Sequence, residues 1–521
     1  MSAWSGRRLH VVGIAGAGMS AYAIVCRALG ATVTGSDRAD SPYLARVREA
    51  GISVTIGHAA ENVPPGSGVE VVVSTAIPAS NPEVAAARSR GLRVLSRADL
   101  LAELTREKRT IAVAGAHGKT TTSSMVAHAL IGCGLDPSYV IGGTLSTTGT
   151  NAAWGSGEWL VVEADESDRS FLALDVDVAV VTNIELDHHT EWPSLRDLQA
   201  AFADFLAGAP VAVLPADDPG VLALRAEHAP DLTTALFGPR GAGGGGGSAG
   251  SAEPARPSAP GGGGESSGSA EPARPSAAGG GGESPASPER ARPSAAGGAG
   301  ESSGSAEPAR PSAAAGGRDD AAASTTTFAF WDGPPLAVPG EHNRRNAAAA
   351  LEAAVLAGAD RAAAAAALAT FRGAGRRFET LGRTPEGAVV VDDYAHHPTE
   401  VAATIAAARE RGFARVVAAF QPHLYSRTQH LARRFGEALA TADVPAVLEV
   451  YPARERAEDF PGVTGRLIAE AAADAGGGKR VLWLPDFDAA ERALRAELRD
   501  GDVLLVLGAG DVDALGRRLV G

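Results

Sequence analysis

The sequence predicts an α/β protein of three domains. Three observations carry that prediction. Apolar runs at 9–12 and 111–114 each end in a glycine turn followed by helical apolar spacing, the strand–turn–helix order of parallel α/β units. Residues 388–428 again alternate short Val-rich runs with helix-spaced segments. The length of 521 residues is also too great for one hydrophobic core.

Composition narrows the class. Hydrophobic residues make up 45% of the chain, which is globular, and the net charge of -14 argues against a nucleic-acid partner, because phosphate backbones need basic surface. The two cysteines, Cys26 and Cys133, suit a reducing compartment and read as small buried hydrophobes. The N-terminal apolar stretch is short and broken by glycines, so neither a signal peptide nor a membrane span is expected and the protein is read as cytoplasmic.

The first unit opens with a buried strand, Leu9 to Val12, then glycines, a helix and a second strand, ATVTGSD. Gly16-x-Gly18-x-x-Ala21 fits a dinucleotide fingerprint, with Asp37 about 20 residues on. By itself this suggests NAD. In physical terms, a pyrophosphate can sit at the helix N-terminus while Ser36 or Asp37 reaches a sugar or base. The run 69–84 is another buried strand ending in small polar residues, and the domain closes near 105.

Residues 111–122, IAVAGAHGKTTT, are the order of a phosphate-binding loop. Glycines let backbone amides close on phosphate oxygens, Lys119 neutralises the outer phosphates, and a hydroxyl can ligate Mg²⁺. Only Ala116 and His117 separate Gly115 from the Gly118–Lys119 pair, two residues where the usual loop has four. The chain has only three lysines, Lys108, Lys119 and Lys479, so one inside this turn points to a need for an ammonium. The next strand, WLVV, ends in Glu163, Asp165, Glu166 and Asp168; another, VAVV, ends in Asn183, Glu185, Asp187, His188 and His189. Carboxylates crowded at strand ends repel unless a cation joins them, which suggests Mg²⁺. Zinc is disfavoured because no Cys cluster or His-x-x-x-His helix occurs.

Residues 239–324 are Gly, Ala, Ser, Pro, Glu and Arg apart from Asp319 and Asp320, with ARPSA recurring at 255, 273, 291 and 309. A solenoid needs an apolar face on each repeat, and none exists, so disorder is expected. Order resumes before GEHNRRN, which places Asn343 and Asn346 near the start of an Ala-rich helix, as caps if they have no other role. Arg376 and Arg377 fall at an apparent domain junction. In the third unit, polar residues gather at two strand ends: Asp392, Asp393, Tyr394, His396 and His397, then Gln421, His423, Tyr425 and Arg427. His128 and His430, on helices, read as structural.

The segments GIAGAGMS, AGAHGKTTT, EADESDRSFL, TNIELDHH, GEHNRRN, RRF, DDYAHHP and QPHLYSRT together resemble the Mur ligases, the ATP-dependent amide ligases that build the peptidoglycan stem peptide. They occur in that family's order and span the chain apart from the repeats. The resemblance implies an N-terminal Rossmann-like domain for a UDP sugar (1–105), a central P-loop ATPase-type α/β domain (106–373) carrying the disordered insertion, and a C-terminal Rossmann-like domain for an amino acid (374–521). It also implies ATP and Mg²⁺, with UDP-N-acetylmuramate and L-alanine as the substrates joined, and no nucleic-acid or membrane partner.

The resemblance assigns Gly16, Gly18, Ser20, Ser36, Asp37, His58, Ser74 and Thr75 to the UDP sugar. ATP would be held by Gly115, Ala116, His117, Gly118, Lys119, Thr120 and Thr121, with Asn343 on adenine and Arg376 or Arg377 on the phosphates. Thr120, Glu163 and His188 would ligate Mg²⁺, and Lys119, Glu163 and His188 would be catalytic. Tyr394, His396, His423 and Arg427 would hold alanine, Arg427 pairing its carboxylate. Two departures stand out. Ala116 replaces a usual Thr, and no lysine between Lys119 and Lys479 is available for the carbamylated lysine of several sister ligases. The rival readings are a ligase joining a tripeptide to the same UDP sugar, an NAD-dependent oxidoreductase, and a non-catalytic nucleotide-binding regulator. The segment QPHLYSRT favours a small amino acid over the tripeptide. The oxidoreductase leaves the Lys119 loop unexplained, and a regulator has no need of the paired His and Arg clusters.

Overall fold

The computed structural model describes residues 4–74, 76–187, 191–228, 233–238 and 327–520. The expected insertion, Thr75, His188 and His189 lie outside the described residues. Three sheets form the three-domain α/β architecture, and each is built on short Val-, Ala- and Leu-rich strands buried on both faces, as parallel strands covered by helices require.

The first sheet is parallel throughout, in the order Ser53–Ile56, Thr32–Asp37, Arg8–Val12, Val69–Val73, Val94–Ser96. Its strand order reverses beside Arg8–Val12, so the crevice at the carboxyl ends opens where the first glycine turn lies. The second sheet has eight strands, with the phosphate-loop strand Arg109–Ala114 between Val178–Val181 and Trp159–Glu163. Central placement puts that loop beside both acidic strand ends. Only the edge strand Thr150–Ala153 runs antiparallel. In the third sheet the last strand in sequence, Val503–Leu507, sits between Val389–Asp393 and Val416–Phe420, and the antiparallel Glu379–Arg383 closes one edge.

The loop helix Lys119–Gly132 packs against the Ala-rich helix Glu341–Leu356. Alanines at 347, 348, 349, 350, 353 and 354 are all buried there, against Met125, Val126 and Leu130. Small side chains let the two axes approach and hold Asn343 and Asn346 over the loop. Both asparagines lie inside this helix, whose N-cap is Gly340, so the capping expectation for them does not hold. The loop helix also starts earlier than its apolar spacing suggests, at Lys119 itself. His128 bonds Thr147 and the Ala367 carbonyl, and His430 the Ser426 carbonyl, as structural histidines do. Cys26 is a buried free thiol, pushed up to about 12 by burial, and Cys133 is also free. Among the described residues no helix is long and apolar enough to cross a membrane.

Behind the acidic strand end, Phe171 packs on Phe202 and Phe205 with ring centroids 5.3 and 5.2 Å apart. Phe202 is fully buried. Phe202→Ala is expected to destabilise the central domain by about 3–5 kcal/mol, read as a lowered midpoint in urea unfolding.

Candidate active site

The loop 115–118 is shaped by contacts only glycine permits. Gly115 has φ +132°, and a Cβ there would lie 2.2 Å from Thr182 Oγ1; Gly118 has φ +81°, and its Cβ would lie 2.8 Å from Asn346 Oδ1. Asn183 Oδ1 accepts from the His117 amide at 3.0 Å. Gly118 caps the helix without a side chain, leaving the first-turn amides to a ligand's oxygens. Lys119 Nζ donates to the Gly115 carbonyl at 2.7 Å and to both Glu166 oxygens at 3.0 and 2.9 Å. Burial opposes the ammonium, but Glu166 and Asp165 outweigh it and hold Lys119 above the usual lysine range, so it stays charged.

The four carboxylates at the end of Trp159–Glu163 have different partners. Arg97, from the first domain, bonds Asp165 at 3.1 Å and Asp168 at 3.3 Å. Lys119 takes Glu166. Glu163 alone has no cation at ion-pair distance among the described residues. It accepts from the Gly142 amide at 2.5 Å, Thr120 Oγ1 at 3.2 Å and Ser123 Oγ at 3.3 Å. A hydroxyl and a cation-free carboxylate beside a phosphate loop form an oxygen donor set that fits Mg²⁺, which takes one or two protein oxygens and completes its shell with phosphates and water.

At the first sheet, Gly16 is the N-cap of Ala17–Ala28, and a Cβ on Gly18 would meet nothing nearer than 4.0 Å, so this helix end is open. Asp37 Oδ2 accepts from the Ala15 amide at 2.8 Å and pins the turn. Ser36 is buried, its hydroxyl donating to Glu83 and lying 3.2 Å from His58 Nδ1. Glu83 is held down to about 2, with hydrogen bonds from His10, Ser36 and Asn62 outweighing its burial. Ser20 is also buried, bonded to the Ala17 carbonyl at 2.9 Å. Ser74 follows Val69–Val73, beside the first glycine turn. Ser20, Ser36 and Asp37 therefore each have a hydrogen-bond partner within the first domain.

The adjacent arginines part company. Arg376, one of the two arginines expected at the phosphates, lines the larger cavity but is held by the third domain. It bonds Asp392 at 2.9 Å and the carbonyls of Gly508 and Gly510 at 2.9 and 3.0 Å. Arg377 points the other way, with Nη2 3.4 Å from Thr120 Oγ1. Left-handed φ values of 57° at Arg376 and 51° at Phe378 produce the divergence.

Tyr394, His396, His423 and Arg427 come together as expected. Ring centroids are 5.4 Å apart for Tyr394–His396 and 6.3 Å for His396–His423, and Arg427 Nη1 lies 3.4 Å from His423 Nδ1. Burial pushes His396 down to about 3 and His423 to about 4, so both imidazoles are neutral near pH 7. Arg427 is already engaged: Nε and Nη2 bond Asp187 at 3.2 and 3.0 Å, and both side chains are buried.

A cavity of about 1620 Å³ is lined by all three domains, among them Tyr43 and Arg46, then Lys119, Thr120 and Glu163, then Arg377, Tyr394 and His396. A second, of about 240 Å³, shares Gly118 and Arg377 with it and is lined by Thr121, Asn183, Asn343 and Asn346. Of the first domain only Ala17, Tyr43 and Arg46 reach the larger cavity, none of them singled out in the sequence. One tyrosine and one arginine on a helix carry no motif. Their role becomes visible only when the domains are assembled.

Comparison with known proteins agrees with this arrangement. The Mur ligase family, catalytic domain, matches residues 8–109; the Mur ligase middle domain matches 113–241; and the Mur ligase, glutamate ligase domain, matches 376–510. UDP-N-acetylmuramate--L-alanine ligase of Acidithiobacillus ferrooxidans is 43% identical over 98% of this chain and 96% of its own. The enzyme of that name from Kineococcus radiotolerans is also 43% identical, over 98% and 94%. The crystal structure of UDP-N-acetylmuramate-alanine ligase MurC from Thermotoga maritima shares the fold, with a TM-score of 0.68 at 24% identity and 98% of each chain covered. A murein peptide ligase from Psychrobacter arcticus gives 0.63 at 21%, covering 99% and 98%.

The two arginines give a direct test. Arg376→Gln leaves the buried Asp392 without its cation and is expected to cost about 3 kcal/mol of third-domain stability. Arg377→Gln is expected to cost under about 1 kcal/mol, and to weaken ATP binding instead. Thermal unfolding and nucleotide titration of both variants check this.

Proposed function

The chain belongs to the Mur ligase family, and we propose that it joins L-alanine to the carboxylate of UDP-N-acetylmuramate, with ATP converted to ADP and phosphate. The observation that carries the reading is the shared cavity. Lys119, Thr120 and Glu163 face one space with first-domain Arg46 and third-domain Tyr394 and His396. That is the arrangement needed to activate a carboxylate with ATP and hand it to an amine. We divide the chain at 105/106 and 373/374, and place the reaction in the cytoplasm, where ATP and nucleotide sugars are held.

A carboxylate is a poor electrophile near pH 7. Its oxygen attacks the γ-phosphorus, the bond to the β-phosphate oxygen breaks, and an acyl phosphate and ADP form. The amine of alanine then attacks the acyl carbon, the C–O bond to phosphate breaks, and the amide remains. The protein's part is charge neutralisation and alignment. Lys119 exchanges Glu166 for the β- and γ-phosphate oxygens, the amides of 115–121 complete the cradle, and Arg377 covers the outer phosphate. Asn343 and Asn346, at the smaller cavity, contact adenine. Thr120 and Glu163, with His188, hold Mg²⁺, which when bound screens the phosphate charge and polarises the γ-phosphoryl group. Alanine must lose its ammonium proton before it attacks; His396 and His423, held down to about 3 and about 4 by burial, are too weakly basic to take it and orient the amine as hydrogen-bond acceptors while the proton leaves to solvent. Arg427, with one edge on Asp187, offers Nη1 to the alanine carboxylate. Gly16, Gly18, His58 and Ser74 face the UDP moiety, and Arg46 and Tyr43 meet the sugar end at the cavity.

Phosphate release by the full chain with Mg²⁺ and ATP is expected to require both UDP-N-acetylmuramate and L-alanine. Release driven by a tripeptide and not by alanine would select the recycling ligase instead. Lys119→Ala is expected to lower kcat by about 100-fold or more while the UDP-sugar Kd stays within about twofold; retained turnover would refute its role.

A further inference from the structure

Between the phosphate loop and the third domain, at the wall of the smaller cavity, lies a cluster whose side chains have no role in the steps above. His117 sits in the loop, Glu185 follows the strand Val178–Val181, and His397 is the N-cap of the helix Pro398–Glu410. His117 Nε2 is 2.9 Å from Glu185 Oε2, and His397 Nδ1 is 3.8 Å from the same oxygen. The two imidazoles are tilted by 32° to one another, with centroids 4.4 Å apart. One donor atom from each of the three residues falls within 4.8 Å of the others. His397 is fully buried; its Nδ1, the nitrogen nearer Glu185, accepts from the Thr399 amide at 3.4 Å, and its other nitrogen, Nε2, has no hydrogen-bond partner. A fully buried imidazole with an unsatisfied nitrogen is costly unless a ligand or ion completes it.

We propose that His117, Glu185 and His397 form a second cation site, selective for a borderline divalent ion such as Zn²⁺ over Mg²⁺, which fastens the phosphate loop to the third domain. Two nitrogens and one carboxylate oxygen suit Zn²⁺, whereas Mg²⁺ prefers oxygens throughout. Bonds of about 2.0–2.1 Å set tetrahedral donors roughly 3.4 Å apart, so side-chain rotation of about 1 Å brings the three into range. The ligand state is also right. Burial pushes His397 down to about 4, leaving a neutral ring, and Glu185 is held well below the usual carboxylate range by His117, His397 and Arg434 despite its burial. Thr399 Oγ1, at 2.8 Å, and Arg434 also contact Glu185, while Glu400 lies 3.8 Å from His117 Nδ1. These neighbours orient the carboxylate and the ring, as outer-shell partners of metal ligands do.

The test uses the full chain with no nucleotide or sugar present, and Co²⁺ as a spectroscopic substitute for Zn²⁺. Titration is expected to give one bound Co²⁺ per chain with the visible absorption of a four-coordinate ion, displaced by Zn²⁺ and not by a large excess of Mg²⁺. His397→Gln and Glu185→Gln are each expected to weaken Co²⁺ binding by about tenfold or more. Zn²⁺ is expected to raise the melting temperature of the wild-type chain and to raise that of either variant less. Absence of stoichiometric Co²⁺ binding to the wild-type chain, displacement by Mg²⁺, or unchanged affinity in Glu185→Gln would overturn the proposal. Glu185→Gln, with its side chain partly exposed, carries the comparison if the buried His397 substitution unfolds.

Discussion

The loop from Glu163 to Asp168 must have its negative charge neutralised, and much of the site follows from that constraint. Four carboxylates lie at one strand end, and one of them, Glu166, is buried, where an unpaired charge costs several kcal/mol. The cations come from two domains. Arg97 reaches across from the first domain to Asp165 and Asp168, and Lys119 takes Glu166. Neutralisation therefore fixes the first domain against the central one and holds the phosphate-loop lysine in place. It also leaves Glu163 as the one carboxylate of the four without a cation among the described residues, next to the Thr120 hydroxyl.

A second electrostatic joint ties the central domain to the third. Asp187, just beyond the strand that neighbours the phosphate loop, takes two nitrogens of Arg427 in a buried bidentate pair. Glu185, two residues earlier, meets Thr399 and Arg434. Arg427 is thus oriented by the central domain, so the cluster of Tyr394, His396, His423 and Arg427 is complete only when the two domains are packed together. Arg377 extends the same joint to Thr120.

Much of this was legible in the residues. The phosphate loop, the buried strands feeding it and the clustering of Tyr394, His396, His423 and Arg427 follow from local patterns: apolar runs, glycines at fixed offsets and polar groups after strands. Other features were not. Ser36, Ser20 and Asp37 look like open polar residues beside a glycine turn, yet they bond Glu83 or nearby backbone groups. Local spacing does not reveal which partner lies 47 residues away in Glu83. Arg376 and Arg377 are identical in type, adjacent in sequence and both at the larger cavity, yet Arg376 is tied to Asp392 and the Gly508 and Gly510 carbonyls while Arg377 reaches Thr120.

By itself the sequence determined the class of fold and the family, because each of these is written in short-range patterns of hydrophobicity, glycine and charge. The tertiary structure decided which charges meet. It placed Val503–Leu507, the last strand of the chain, in the middle of the third sheet. It brought Arg97 to Asp165, Arg427 to Asp187 and Tyr43 with Arg46 to the common cavity. Those pairings depend on the distances between domains, which residue spacing along the chain does not encode.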